Sequence, residues 1–156
     1  MEEITVVEIK PQIVMGMRRR GPYQQIPQML KGIFLHLMEK KARIAGPPMF
    51  LCHEMSEQEA IEADKNKDAD VEVCVPVEVE LGGTDEIRCY RLPGGKMAKI
   101  AHKGPYEECK PTYDKLFAWL KENGKRIAGP IREVYLNDPH EVPKEEILTE
   151  IYAPIG

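Results

Sequence analysis

Two short motifs return at one fixed spacing, and that spacing constrains this chain more than any other feature. Gly21-Pro22-Tyr23 recurs as Gly104-Pro105-Tyr106, and Ile44-Ala45-Gly46-Pro47 as Ile127-Ala128-Gly129-Pro130. Both pairs lie 83 residues apart, and Phe34/Phe117, Leu37/Leu120 and Arg43/Arg126 keep the same offset without a gap. Chance agreement on this scale is improbable; self-similarity at a fixed spacing marks a repeated structural unit. The closing runs also match in form, Val71-Glu72-Val73-Cys74-Val75-Pro76-Val77 against Thr149-Glu150-Ile151-Tyr152-Ala153-Pro154-Ile155. Their offset is 78, so the second copy has a loop five residues shorter.

Each copy reads as strand, helix, strand, strand. Ile4 to Ile9 and Gln12 to Met17 are extended. Ile26, Leu30, Ile33, Phe34, Leu37 and Met38 then recur at helical spacing, predicting an amphipathic helix of about five turns. Pro27 falls near its start, where a missing N–H does little harm. Ile44-Ala45-Gly46-Pro47-Pro48 ends it, and Met49 to His53 is a short strand. The polar insert 55–70 places Ser56 and Glu59 to cap a short helix. Val71, Val73, Val75 and Val77 alternate with polar neighbours, the clearest strand in the chain, and Pro76 predicts an edge or a bulge there. In the second half, 87–92 and 96–102 are strands. Cys109, Tyr113, Leu116, Phe117 and Leu120 form a helical stripe that stops at Asn123-Gly124. Strands follow over 131–136 and 147–154.

One copy has too little sheet to bury its helix. Two copies joined predict an α+β fold: a duplicated strand-helix-strand-strand unit, an antiparallel sheet with both main helices on one face, and a central cleft on the other. The 156 residues suit one domain made of two tandem repeats, about 1–80 and 84–156. Strand parity then selects the cleft residues. If the Val71 to Val77 valines face the helices, Glu72 and Cys74 face the cleft, as do Glu150 and Tyr152, and Glu133 and Tyr135. At the offset of 83, Phe50 and Cys52 stand where the second copy has Glu133 and Tyr135. An apolar pair facing a carboxylate and a phenol suits a ligand with one charged and one greasy end. An exposed, ligand-free sheet face would show the same pattern.

Composition limits the partners. The net charge of −4 argues against a nucleic-acid partner, which needs a basic face, and leaves Arg18-Arg19-Arg20 as solvated cations. No apolar run approaches the ~20 residues of a membrane span. The acidic start Met1-Glu2-Glu3 lacks a signal-peptide pattern, so a cytoplasmic protein is expected. Cys52, Cys74, Cys89 and Cys109 are too dispersed for a zinc site and are expected as free thiols. The histidines, His36, His53, His102 and His140, are scattered and read as packing or surface residues. No metal or cofactor is expected.

The two Gly-Pro-Tyr turns, the Ala-Gly-Pro corners, the Glu133-Val134-Tyr135-Leu136-Asn137-Asp138 run and the closing Thr149 to Ile155 run resemble the GyrI-like small-molecule-binding domain. That domain is also the effector-binding part of multidrug-responsive transcription regulators. The resemblance covers almost the whole chain. It implies a pocket for cationic, aromatic or lipophilic compounds. The family's pocket glutamate falls on Glu133 and the glutamate of its last strand on Glu150. Tyr90, Tyr106, Tyr113, Trp119 and Tyr152 are candidate aromatic walls. No helix-turn-helix segment precedes the domain, and the acidic insert departs from the family pattern.

The resulting expectation is a stand-alone protein that binds or sequesters such compounds through Glu133, Tyr135, Glu150, Tyr152, Phe50, Glu72, Trp119 and Tyr113. Two alternatives stay open. Some relatives are hydrolases that open cyclopropane rings in DNA-alkylating toxins, and there Glu133 would be the base. Others act through protein interaction, as in gyrase inhibition. Monomer and homodimer both remain open.

Overall fold

The computed structural model describes residues 3–54 and 56–155. Met1, Glu2, Met55 (the first residue of the insert) and Gly156 lie outside them. In chain order the elements are β1 (Thr5–Ile9), β2 (Gln12–Gly21), α1 (Ile26–Glu39), β3 (Met49–Cys52), α2 (Glu57–Lys65), β4 (Ala69–Pro76), β5 (Arg88–Leu92), β6 (Gly95–Lys103), α3 (Lys110–Glu122), β7 (Ile131–Tyr135) and β8 (Leu148–Pro154). The class is α+β, and every described strand pair is antiparallel.

The chain divides into two compact units. One comprises Pro11–Pro93, the other Met1–Lys10 with Gly94–Gly156. The first ten residues join the later unit for a simple reason. β1 pairs with β6, and β5 pairs with β2. The two strands that begin the sequence repeats, 83 residues apart at Thr5 and Arg88, are thus each hydrogen-bonded into the unit formed by the other copy's later elements.

In the 11–93 unit the strand order is β5-β2-β4-β3. Residues opposite one another in a ladder share a face. Met17, Val73 and Phe50 therefore share one face, while Arg18, Glu72 and Leu51 share the other. α1 covers the Met17 face, since a Cβ on Gly32 would sit 3.6 Å from Met17 Cε. Phe50 thus lies on the helix side, opposite in parity to Glu72, and not beside it as expected.

α1 buries Met29, Ile33, His36 and Leu37. Met38, expected in that stripe, is 73% exposed; it lies 100° beyond Leu37 around the helix and projects outward. The helix also stops earlier than the Ala-Gly-Pro corner. Lys41 takes a left-handed conformation (φ 52), and the Ala42 and Lys41 amides donate back to the carbonyls of Leu37 and Met38. α3 ends the same way at Gly124 (φ 63), with the Lys125 and Gly124 amides on the carbonyls of Leu120 and Lys121. This is the Schellman arrangement.

The Ala-Gly-Pro corners have a shared physical task. Ala45 donates to the Pro76 carbonyl at 2.9 Å, and Ala128 to the Pro154 carbonyl at 2.7 Å. Each corner glycine lies against the ring of that proline, where a Cβ would approach to 3.4 Å at Gly46 and 3.7 Å at Gly129. Pro76 is therefore neither an edge nor a bulge. It closes the interior strand β4, where its carbonyl is used and no N–H is needed.

In the other unit the order is β1-β6-β8-β7, and α3 packs on β6. Its buried residues are Thr112, Leu116 and Leu120. Ile100 and Ile151 are opposite each other and fully buried. α2 starts at Ser56, whose hydroxyl accepts the Glu59 amide at 3.1 Å, as the sequence predicts.

Candidate functional site

Glu133 stands opposite Ile151, and Tyr135 opposite Thr149, in the β7–β8 ladder. Ile151 and Thr149 in turn oppose Ile100 and His102 on β6. All six share the face that α3 covers. From that helix Tyr113 donates its hydroxyl to Glu133 Oε2, and Tyr135 donates to Oε1 at 3.1 Å. The Tyr106 ring, from the turn ahead of α3, meets Tyr135 edge-on at 5.3 Å between centroids. Tyr113 lies against Phe117 at 5.9 Å.

This carboxylate is thus held by two neutral phenols, with aromatic rings behind them. Burial raises the Glu133 pKa above the ordinary carboxylate value; the Tyr113 and Tyr135 hydrogen bonds and the nearby His102 oppose that rise without cancelling it. The Cys109 thiol is pushed up to about 12, first by burial and then by the charge of Glu133. Tyr135 is held far above the usual phenol range, again mainly by burial. His102 ties the base of the site together. Its Nε2 donates to the Pro105 carbonyl at 2.9 Å, and its Nδ1 lies 2.8 Å from Thr112 Oγ1. Thr149 is fully buried, and among the described residues its Oγ1 has no hydrogen-bond partner.

Glu150 and Tyr152 are not part of this cluster. Glu150 stands opposite Val134 and Ala101, and Tyr152 opposite Arg132 and Lys99. They leave the sheet on the side away from α3, which corrects the expectation that they share a face with Glu133 and Tyr135. There Lys99 Nζ is 3.0 Å from Glu150 Oε2, and Tyr152 donates to Glu150 Oε1 at 2.8 Å. The Lys99 ammonium also lies 5.9 Å from the Tyr152 ring centroid. Glu150 already has a cation of its own.

The 11–93 unit places Phe50, which stands where the second copy has Glu133, against Tyr23, edge-on at 5.8 Å. Tyr23 donates to Glu54. On the face away from α1, Glu72 is nearly buried and has both oxygens engaged: Tyr90 donates at 2.5 Å and His53 Nε2 is 2.6 Å away. Tyr90 reaches Glu72 by crossing Gly16, where a Cβ would lie 2.1 Å from its hydroxyl. Arg18, opposite Glu72, forms a two-pronged pair with Asp70 at 2.8 and 2.6 Å. That pair holds the Asp70 pKa below its ordinary value, with the Arg18 hydrogen bond as the largest cause.

Of the expected residues, the structure brings together Glu133, Tyr135 and Tyr113. It pairs Glu150 with Tyr152, and Glu72 with Tyr90, at separate places. Trp119 is half-buried on α3, where its carbonyl accepts from Asn123. Residues the sequence did not single out are Lys99, His53 and Thr149. Only a known register could have marked them. A shallow depression of about 530 Å³, lined by His102, Lys103, Glu108, Pro111, Thr112 and Lys115, lies at the start of α3. It carries both signs of charge and touches none of the expected ligand residues. Among the described residues no group of three or more His, Cys, Asp or Glu could hold a metal ion, and no helix is long and apolar enough to cross a membrane.

On this α+β scaffold a half-buried carboxylate thus lies among phenols. A family model for the GyrI-like small molecule binding domain matches residues 2–156, and the chain belongs to that family. Its fold is similar to the EcmrR C-terminal domain (23% identity, TM-score 0.88, covering 99% of this chain and 98% of that one). Against EcmrR in its DNA complex it spans 57% of that chain, with 22% identity and a TM-score of 0.86. It also resembles a hydrolase encoded by lin2189 from Listeria innocua (14%, 0.68, 99% and 92%). SAV2435 bound to tetraphenylphosphonium is similar as well (12%, 0.59, 99% and 94%).

Proposed function

We propose that this protein binds or sequesters lipophilic, cationic aromatic compounds, with Glu133 as the residue that reads their charge. The observation that carries this reading is the Glu133 carboxylate on the α3 face, held by the Tyr113 and Tyr135 hydroxyls. A half-buried carboxyl whose side-chain hydrogen bonds come from neutral phenols gains when a cation arrives, because a lowered dielectric strengthens the attraction. The Tyr106, Tyr113 and Tyr135 rings add cation–π attraction of roughly 0.5–2 kcal/mol. The tetraphenylphosphonium complex of the similar SAV2435 supports a ligand of this type. Glu150 and Tyr152, on the sheet face away from α3, take no part in this contact. The cytoplasm is the compartment it suits, and tandem duplication is its origin.

The test is calorimetry with tetraphenylphosphonium on the wild type and Glu133→Gln. Binding weakened by roughly tenfold or more in the variant is expected, the size of losing one charged contact. Equal affinity would remove Glu133 from the site.

A second reading is favoured by the hydrolase from Listeria innocua that shares this fold. Glu133 would then accept a proton from water as the water oxygen bonds to a carbon of a strained, electrophilic ring, the ring C–C bond breaking and its electron pair passing into the compound's conjugated acceptor. Release of a ring-opened product, followed by mass spectrometry, separates turnover from simple sequestration.

A further inference from the structure

The side chain that the proposed cation site leaves unused is Thr149. It sits on β8, an interior strand of its unit, opposite Tyr135 on one side and His102 on the other. It is 0% exposed, and among the described residues its Oγ1 makes no hydrogen bond. A buried hydroxyl without a partner is destabilising, and valine would fill the same space at no such cost. The neighbouring polar groups are already engaged. Both oxygens of Glu133 accept phenol protons, and the two His102 nitrogens face Pro105 and Thr112. Among the described residues, the buried side-chain oxygen of this face that has no partner therefore lies opposite Tyr135, whose hydroxyl bonds the residue proposed to read charge. Its lone pairs can accept a proton donor.

We propose that Thr149 is a specificity-determining residue: its Oγ1 accepts a hydrogen bond from an N–H of the ligand. The preferred class is then a protonated amine on an aromatic body, selected over quaternary cations of equal charge. This assignment rests on the cation site at Glu133 and adds what that carboxylate cannot supply. Coulomb attraction does not distinguish an ammonium with an N–H from one without. A buried acceptor does, because a ligand lacking the donor leaves it unpaired.

The experiment compares two probes, protonated N,N-dimethyl-(2-naphthylmethyl)amine and its N-methylated quaternary salt, by calorimetry on the full chain. The wild type is expected to prefer the protonated amine by roughly tenfold. In Thr149→Val the preference falls to about one, through weaker amine binding, while quaternary binding stays within about twofold. Thr149→Ser, which keeps the hydroxyl, retains the preference. Thr149→Val should melt no lower than the wild type. An unchanged preference in Thr149→Val overturns the proposal. So does a lower melting temperature in Thr149→Val that Thr149→Ser restores, since the hydroxyl would then have an internal partner. If neither probe binds the wild type, or Glu133→Gln affects neither, the cation site itself falls, and Thr149 loses its role with it.

Discussion

Glu150 stands directly opposite Val134 in the β7–β8 ladder, one residue out of step with Glu133. Its carboxylate therefore emerges on the far side of the sheet, where Lys99 and Tyr152 satisfy it. Glu133→Gln and Glu150→Gln should consequently behave differently. The first should weaken tetraphenylphosphonium binding by roughly tenfold or more, and the second by less than about twofold. Equal losses in side-by-side titrations would show that both carboxylates reach the ligand.

The same contrast can be inverted. Lys99→Gln removes the cation from Glu150 while keeping a polar side chain of similar length. Glu150 and the Tyr152 ring then form an acidic, aromatic spot open to an outside cation. A second, weaker binding event is expected in calorimetry of the variant. An isotherm identical to that of the wild type would mean that this face offers no foothold.

Glu133 should also leave a mark on stability as pH changes. Its folded pKa is raised, chiefly by burial, so the folded state holds the proton more tightly than the unfolded chain does. The favourable contribution is complete below the unfolded value, near 4.5, and is lost as pH rises through the folded value. Glu133→Gln removes this term. Its melting temperature should exceed that of the wild type at pH 7, by roughly 2–4 °C per kcal/mol gained. The gap should narrow toward pH 4. A gap that widens on acidification would reverse the sign of the argument.

Lys41 occupies the left-handed position that Gly124 fills at the end of α3. A side chain there costs roughly 1 kcal/mol relative to glycine. Lys41→Gly should raise the melting temperature by a few degrees, partly offset by the added freedom of the unfolded chain. Gly124→Ala should lower it by a similar amount. Thermal denaturation of the two variants checks both directions.

The sequence made much of this fold legible. The repeated Ala-Gly-Pro corners were visible because a corner glycine packing on a strand-ending proline tolerates little else. The helices were visible through their 3.6-residue stripes, although the outward step at Met38 and the exit at Lys41 were not. Lysine carries no stop signal, so the sequence pattern runs on past the end of α1. The site was half legible. The residue types mark Glu133, Tyr135 and Tyr113 as candidates, but parity alone puts Glu133 and Glu150 on one face. Alternation fixes parity within a strand, whereas the relation between strands depends on register, and a one-residue shift exchanges the faces. No periodicity in residues 131–154 reveals that Val134 is the residue opposite Glu150. Thr149 was hidden for another reason: only coordinates show whether a buried hydroxyl has found a partner.

The crossed placement of β1 and β5 has a consequence for proteolysis. The segment 78–86 is exposed apart from half-buried Leu81, so it is open to nicking by a protease. The amino-terminal fragment would still hold β1 paired to β6 of its companion, and the carboxy-terminal fragment would still supply β5 to β2. Such a nicked protein should elute as one species under native conditions and fall into two pieces only in denaturant, its halves fastened like clasped hands.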